Sequence, residues 1–508
     1  MSSTPYSVVW FKRDLRVADN APLHAAAARG PVLCLYVIEP GLWREPDAAT
    51  QHYQFILESL RDLYAELRRI GGQLQLVTGD MVAVLTRLHA TAPFAALYSH
   101  EETGNGWTYA RDRTVGRWCR EQGVVWHEFA QFGVTRRLRD RDEWHGLWQQ
   151  HHAAPIINTP QLQTVALPWK EPPPPTPQML GLDPHDPPQR QRGGRQRGLA
   201  VLRDFLDHRS GQYRGGISSP LSAPTACSRL SPYLAYGCLS TREVVRAAEQ
   251  AQASADSRRQ AGINAFLSRM HWHCHFIQKL ESEPEIEWRN MHRGYDGLRE
   301  PDWNPAHFEA LTTGHTGWPL VDACVAMLRE TGWINFRMRA MLVSVAAYPL
   351  WLHWQPVGLW LARQFLDYEP GIHWSQLQMQ SGTTGINITR VYNPIKQARD
   401  HDPAGRFVRR WLPHLRRVPD TWLFEPWRMP ESLQQRLALS VGEHIPQPPV
   451  DLESATRQAK TRIYNLRGLA AVKAAKADIL KRHGSRKMSQ TSRGKRCAAP
   501  AAQATLEF

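Results

Sequence analysis

Cysteine is scarce: Cys34, Cys119, Cys227, Cys238, Cys274, Cys324 and Cys497 are scattered over 508 residues with no C-x-x-C pair. That excludes a disulfide scaffold, and free thiols in an intracellular chain are expected. Long hydrophobic runs are missing as well. The longest weakly polar stretch, Ala340 to Leu352, is broken by Ser344, Tyr348 and Pro349 and falls short of the ~20 residues that span a bilayer. With a mean hydropathy of −0.48, no membrane segment is expected. Met1 to Tyr6 is short and polar, without the charged-then-apolar layout of a secretory signal, so a cytoplasmic address is expected. Acids are in deficit, with 62 Lys and Arg against 47 Asp and Glu for a formal charge of +15, which favours a polyanionic partner. Glycine is absent from the turn Lys12-Arg13-Asp14-Leu15-Arg16, which argues against the G-x-G-x-x-G turn of an ordinary NAD site.

What is present suffices for two or three domains at ~150 residues each. Ser7–Phe11, Pro31–Ile38, Leu74–Val77, Ala95–Tyr98 and Val124–Phe129 are short apolar runs that read as buried strands. Between the second and third, Tyr53, Ile56, Leu57, Leu60, Leu63, Tyr64 and Leu67 recur at helical spacing, giving the crossover helix that parallel strands need. The fold class is therefore an N-terminal Rossmann-like α/β domain with a parallel sheet, over residues 1–135. Residues 136–197 read as a Pro-rich interdomain linker, with nine prolines between 168 and 188. Helical periodicity without strands then fills 198–480, a large all-α domain. The end, 481–508, reads as a disordered basic tail, since Lys481 to Arg496 holds seven basic residues and no acid.

Tryptophan stands at 20 copies. Most should pack in cores, but the same rings can form a base-stacking surface or a chain of oxidisable groups around a redox cofactor. His271-Trp272-His273-Cys274-His275 places His271 and His275 on one helix face. No third ligand follows at diagnostic spacing and no glutamate completes an H-E-x-x-H, so a structural or pocket-lining cluster is expected and no metal. No G-x-S-x-G elbow supports a hydrolase. Cys227-Ser228-Arg229-Leu230-Ser231-Pro232 looks like a loop entering a helix, a simple N-cap or a phosphate cradle. Asp367 and Glu369, with Arg337 and Arg339 upstream, are surface ion pairs or a buried charge set around a polar ring.

Several phrases, in order and spanning nearly the whole chain, resemble the DNA photolyase and cryptochrome flavoprotein family. They are Val8-Val9-Trp10-Phe11-Lys12-Arg13-Asp14-Leu15-Arg16 with Asp19-Asn20, then Ser228-Arg229-Leu230-Ser231-Pro232-Tyr233-Leu234 with Gly237 and Leu239-Ser240. Thr316-Gly317-Trp318-Pro319-Leu320-Val321-Asp322-Ala323, Thr331-Gly332-Trp333, Arg390-Val391-Tyr392-Asn393-Pro394 and Phe407-Val408-Arg409-Arg410-Trp411-Leu412-Pro413 continue the series. Only Cys497 follows Cys324, which argues against the iron–sulfur branch.

The resemblance implies an N-terminal antenna domain and a helical FAD domain. Tyr213 and Cys227, Ser228, Arg229, Leu230 and Ser231 would line the FAD phosphates and ribityl chain, with Cys227 where the family usually has Thr. Arg339 and Asp367 would be the ion pair beside the isoalloxazine, followed by Tyr368 and Glu369. His373 would face flavin N5. Trp354 falls on the middle electron-transfer tryptophan, with Trp374 and Trp303 near the inner and outer positions. The stretch His271 to Phe276 would face the flavin and lesion pocket, and Trp272, His273, His275, Phe336, Arg337 and Met379 would meet substrate DNA. Where the family has W-R-E-F, this chain has Trp272-His273-Cys274-His275-Phe276, so the lesion-binding glutamate has no obvious equivalent. A folate, flavin or deazaflavin antenna, or none, is open near His100 to Asp112, because Thr108 stands where folate-binding members have Glu. The implied function is a monomeric, blue-light-driven photolyase that splits cyclobutane pyrimidine dimers in UV-damaged DNA with reduced FAD. The alternatives are a cryptochrome-type photoreceptor, a (6-4) photolyase, and a nucleic-acid-binding protein with a decayed cofactor site.

Overall fold

A computed structural model describes residues 5–484 of the chain. The apolar runs form one all-parallel sheet: β1 (Ser7–Phe11), β2 (Val32–Ile38), β3 (Leu74–Thr78), β4 (Ala96–His100) and β5 (Val125–Phe129), ordered β3-β2-β1-β4-β5. Central β1 pairs Ser7 with Val32 on one side and with Ala96 on the other. Both its faces are covered, which is why it reads as an unbroken apolar run. Val9 and Phe11 share a core with the crossover helix Thr50–Arg69, while Val8 and Trp10 enter the core on the opposite face. β5 corrects the expectation of a buried strand, because it is an edge and Val125 is 55% exposed. Its β-branched and aromatic residues reflect strand propensity more than burial.

The segment 136–197 is also more than a linker. Trp144–Ala153 is a helix whose Trp144 and Trp148 pack on His271 of the long helix Ser257–Ser282. The proline-rich stretch is irregular, as fixed φ angles and missing N–H donors require. It ends where Arg190 pairs with Glu58 at 2.9 Å and the Gly193 amide donates to the same carboxylate at 2.6 Å, pinning the segment to the crossover helix. After Arg195 the described residues contain helices and turns and no further strand. At the far end, Lys481 to His483 complete the helix Ala470–His483, which corrects the tail's expected start. The rest of the basic tail lies outside the described residues.

The glycine-poor turn after β1 serves to join the two units. Leu15 N–H donates to the Tyr236 carbonyl at 3.2 Å, and Arg16 to the Gly237 carbonyl at 3.0 Å. Arg13 donates to the Ala235 carbonyl at 2.8 Å and to Glu369 Oε2 at 2.9 Å. Asp19 accepts from Ser240 Oγ at 2.6 Å and pairs with Arg242 at 2.7 Å. Gly237, at φ +64°, is required here: a Cβ would lie 2.1 Å from the Arg13 carbonyl oxygen.

Candidate functional site

Two adjoining cavities in the helical unit meet at Arg339 and Asp367. One, of about 270 Å³, is walled by Tyr213, Cys227, Ser228, Arg229, Asn335 and Arg337, with Trp272, His273, Phe276 and Phe336 on its other side. The other, of about 160 Å³, is walled by Ser231, Arg339, Asp367, Tyr368, Glu369, His373, Gln376 and Gln380. The loop before Ser231 is held by Arg209, whose guanidinium donates to the carbonyls of Thr225, Cys227 and Ser228. That grip lets Arg229 sit at φ +62°, with its guanidinium 3.7 Å from the Trp333 ring centre.

Arg339 meets Asp367 with two nitrogens, each 3.0 Å from a different carboxylate oxygen. Burial alone would raise the Asp367 carboxyl, but the Arg339 guanidinium, together with hydrogen bonds from Ser231 and the backbone, holds the group below the usual range. Glu369 is the opposite case. Burial pushes it up to about 7 despite Arg13. Burial drives His373 down to about 3 and His273 to about 4, so both imidazoles are neutral at physiological pH. His373 Nε2 lies 2.9 Å from the Gly358 carbonyl, which places its proton on that nitrogen.

The geometry sorts the residues expected from sequence. On the long helix, Trp272, His273 and Phe276 face the cavities. His275 faces away, against Arg141 and Trp144, as do His271, 3.2 Å from His145, and fully buried Cys274. At 100° per residue one face cannot hold the whole stretch from 271 to 276. Met379 also points elsewhere, because the helix Pro370–Ser381 presents Ile372, His373, Gln376, Leu377 and Gln380 instead. The Leu230 side chain is part of the core shared with the sheet. Trp374 and Trp354 are both buried, with ring centres 5.9 Å apart at 72°. Trp303 packs on Phe308 at 5.1 Å, and the ring neighbours of Trp354 are His353 and Trp374. Sequence reasoning missed Arg13, Arg209, Asn335 and Trp333. The unusual charge density of Lys12 to Arg16 was a signal for the first, and the phrase Thr331-Gly332-Trp333 for the last; Arg209 had none.

Two buried acceptors in the cavity walls, Asn335 Oδ1 and Gln380 Oε1, have no hydrogen-bond partner. A bound group with N–H or O–H donors would satisfy them. A third cavity, about 100 Å³, opens at the sheet and is lined by Trp10, Glu39, Trp43, Asp47, Asn105, Thr108 and Arg111. There Arg111 bridges Glu39 at 2.8 Å and Asp112 at 2.9 Å.

Residues 7–135 match the DNA photolyase family model, and residues 266–465 match the model for the FAD binding domain of DNA photolyase. The chain belongs to the photolyase/cryptochrome family. Like others of that family it carries FAD, and the paired charges and unpartnered acceptors of the two cavities fit such a polar ring system. Tyr213 and Cys227–Ser231 lie outside the matched segments. The photolyase/cryptochrome chain is 29% identical to a cryptochrome DASH of Gloeobacter violaceus, over 91% of this chain and 96% of that one. It is 25% identical to a deoxyribodipyrimidine photo-lyase of Alkalihalophilus pseudofirmus, over 90% and 98%. Its fold superposes on a bacterial class III photolyase from Agrobacterium tumefaciens with a TM-score of 0.80 at 24% identity, covering 92% and 99%. Among the described residues, no helix is long and apolar enough to cross a membrane.

Proposed function

We propose that this protein is a blue-light-driven photolyase for cyclobutane pyrimidine dimers. The observation that carries the reading is the 270 Å³ cavity, which continues from the Arg339–Asp367 pair to aromatic walls of Trp272, Phe276 and Phe336 with Arg269 and Arg337 beside them. Stacking rings and arginines at one opening suit a flipped pyrimidine dimer and its phosphates. Reduced FAD, when bound beside Arg339 and Asp367, would supply the one-electron chemistry that splitting the dimer needs.

The protein's residues set the stage for that exchange. Arg339 and Asp367 supply a fixed positive and negative pair at the cavity junction, so charge developing beside them meets dipoles that need no reorganisation. Neutral His373 points no proton into the cavity from Nε2, which is engaged with Gly358, and leaves Nδ1 as an acceptor. Trp374 and Trp354, with ring centres 5.9 Å apart, would pass electrons to an oxidised flavin in this reading. The cavity at the sheet is the place for a second chromophore, held by Arg111, Asn105 and Trp43. A formal charge of +15 supports association with DNA. The cytoplasm and a monomeric state complete the reading.

One observation favours a photoreceptor instead: the stretch Trp272 to Phe276, where the family has W-R-E-F, presents no acidic side chain to the cavity. The test is light-dependent repair. Photoreduced protein is expected to restore an oligonucleotide carrying a cyclobutane thymine dimer under blue light, with none in the dark and none on a (6–4) photoproduct. Full photoreduction with no repair of either lesion would replace this reading with the photoreceptor.

A further inference from the structure

Among the residues lining the 160 Å³ cavity on the Asp367 side and the cavity at the sheet, Tyr368 alone belongs to both. Its hydroxyl donates to Asp47 Oδ2 at 2.7 Å. Asp47 is 4% exposed, and its other side-chain donor is the Asn105 amide at 3.1 Å. Neither donor is a cation, so this buried carboxylate can gain a proton without breaking an ion pair. Across the phenol, the His373 ring lies at 5.1 Å and Trp374 lies 4.9 Å beyond it. Burial and the Asp47 charge raise the phenol well above 10, so it carries its proton at neutral pH and must shed it on oxidation.

The tryptophan pair offers no comparable resting place. Trp354 is 1% exposed, and its indole N–H donates to the amide oxygen of Asn290 at 2.8 Å. An oxidised indole there is a buried cation whose proton faces a weak base, whereas the Tyr368 proton faces a carboxylate.

We propose that Tyr368 and Asp47 form a proton-coupled electron donor that holds the oxidising equivalent left when blue-light-excited, oxidised FAD takes an electron from Trp374. One electron passes from the Tyr368 phenol to the oxidised indole. The phenolic O–H bond breaks as its proton bonds to Asp47 Oδ2. The products are a neutral phenoxyl radical, an intact indole and a neutral carboxyl. The inference rests on the flavin photochemistry of the proposed function and not on lesion repair.

The test is electron paramagnetic resonance after a blue flash, on the FAD-loaded full chain without DNA or added reductant. A neutral tyrosyl signal is expected, and ring-deuterated tyrosine should narrow it without any substitution. Tyr368→Phe should leave a tryptophan-type radical only. Asp47→Asn should slow tyrosyl formation about 100-fold, the scale of a lost positioned base. A tryptophan radical alone in the unmodified protein, or a tyrosyl signal unchanged in Tyr368→Phe, would overturn the proposal, as would an unchanged rate in Asp47→Asn. A normal tyrosyl signal in protein that repairs no lesion would support this inference while removing the photolyase reading.

Discussion

Asp367 and Arg339 touch through two 3.0 Å contacts in a cavity wall where water is largely excluded. Removing one charge of such a pair strands the other, at a cost of about 3 kcal/mol or more. Asp367→Asn keeps the side-chain volume and is expected to lower both the melting temperature and the FAD retained through gel filtration. Full FAD content in that variant would contradict the placement of the pair at the flavin. The pH sign follows from the depressed carboxyl. Its stabilisation is present above the unfolded value of ~3.9 and is lost as pH falls through the lower folded value. The residues alone left Asp367 and Glu369, with Arg337 and Arg339, as surface ion pairs or a buried charge set, and only the resemblance joined Arg339 to Asp367, 28 positions apart. Arg209 was not legible at all. A guanidinium that holds three carbonyls of a loop looks, in one dimension, like any surface arginine.

At the scale of elements, the strands were readable to within one or two residues because both faces of β1, β2 and β4 are buried. β5 and the 136–197 segment were misjudged for a shared reason: composition reports propensity, while burial depends on what packs alongside. The Lys12 to Arg16 turn had been read for what it lacks, yet its charges make the contact between units. Gly237→Ala tests that contact. A Cβ 2.1 Å from the Arg13 carbonyl, on a backbone at φ +64°, forces the turn and the helical unit apart. A loss of about 3 kcal/mol is expected in urea unfolding, and an unchanged midpoint would show that the two units do not depend on this approach. The histidine-rich helix was half legible. Its period put His271 and His275 on one face correctly, but only the packed helix Trp144–Ala153 reveals that this face turns away from the cavity.

Across the whole molecule, buried histidines make stability depend on pH. Burial lowers His52, His152 and His273 to about 4 and His373 to about 3. They stay neutral in the fold, whereas in the unfolded chain each gains a proton below ~6.5. The unfolded state therefore binds more protons between about pH 6.5 and 4, and stability falls as pH drops through that window. Each such group contributes up to about 1.4 kcal/mol per pH unit. Urea midpoints should decline from pH 7 to 5 with a slope of more than one proton, and a flat profile would show that these imidazoles are solvated. The central claim is that the two cavities bring flavin and dimer close enough for electron exchange, and it is tested most directly by fluorescence of the reduced, FAD-loaded protein. Equimolar DNA carrying one cyclobutane dimer should shorten the excited-state lifetime of the reduced flavin, and undamaged DNA of the same sequence should not. Equal lifetimes with both, under conditions where both DNAs are bound, would contradict the account.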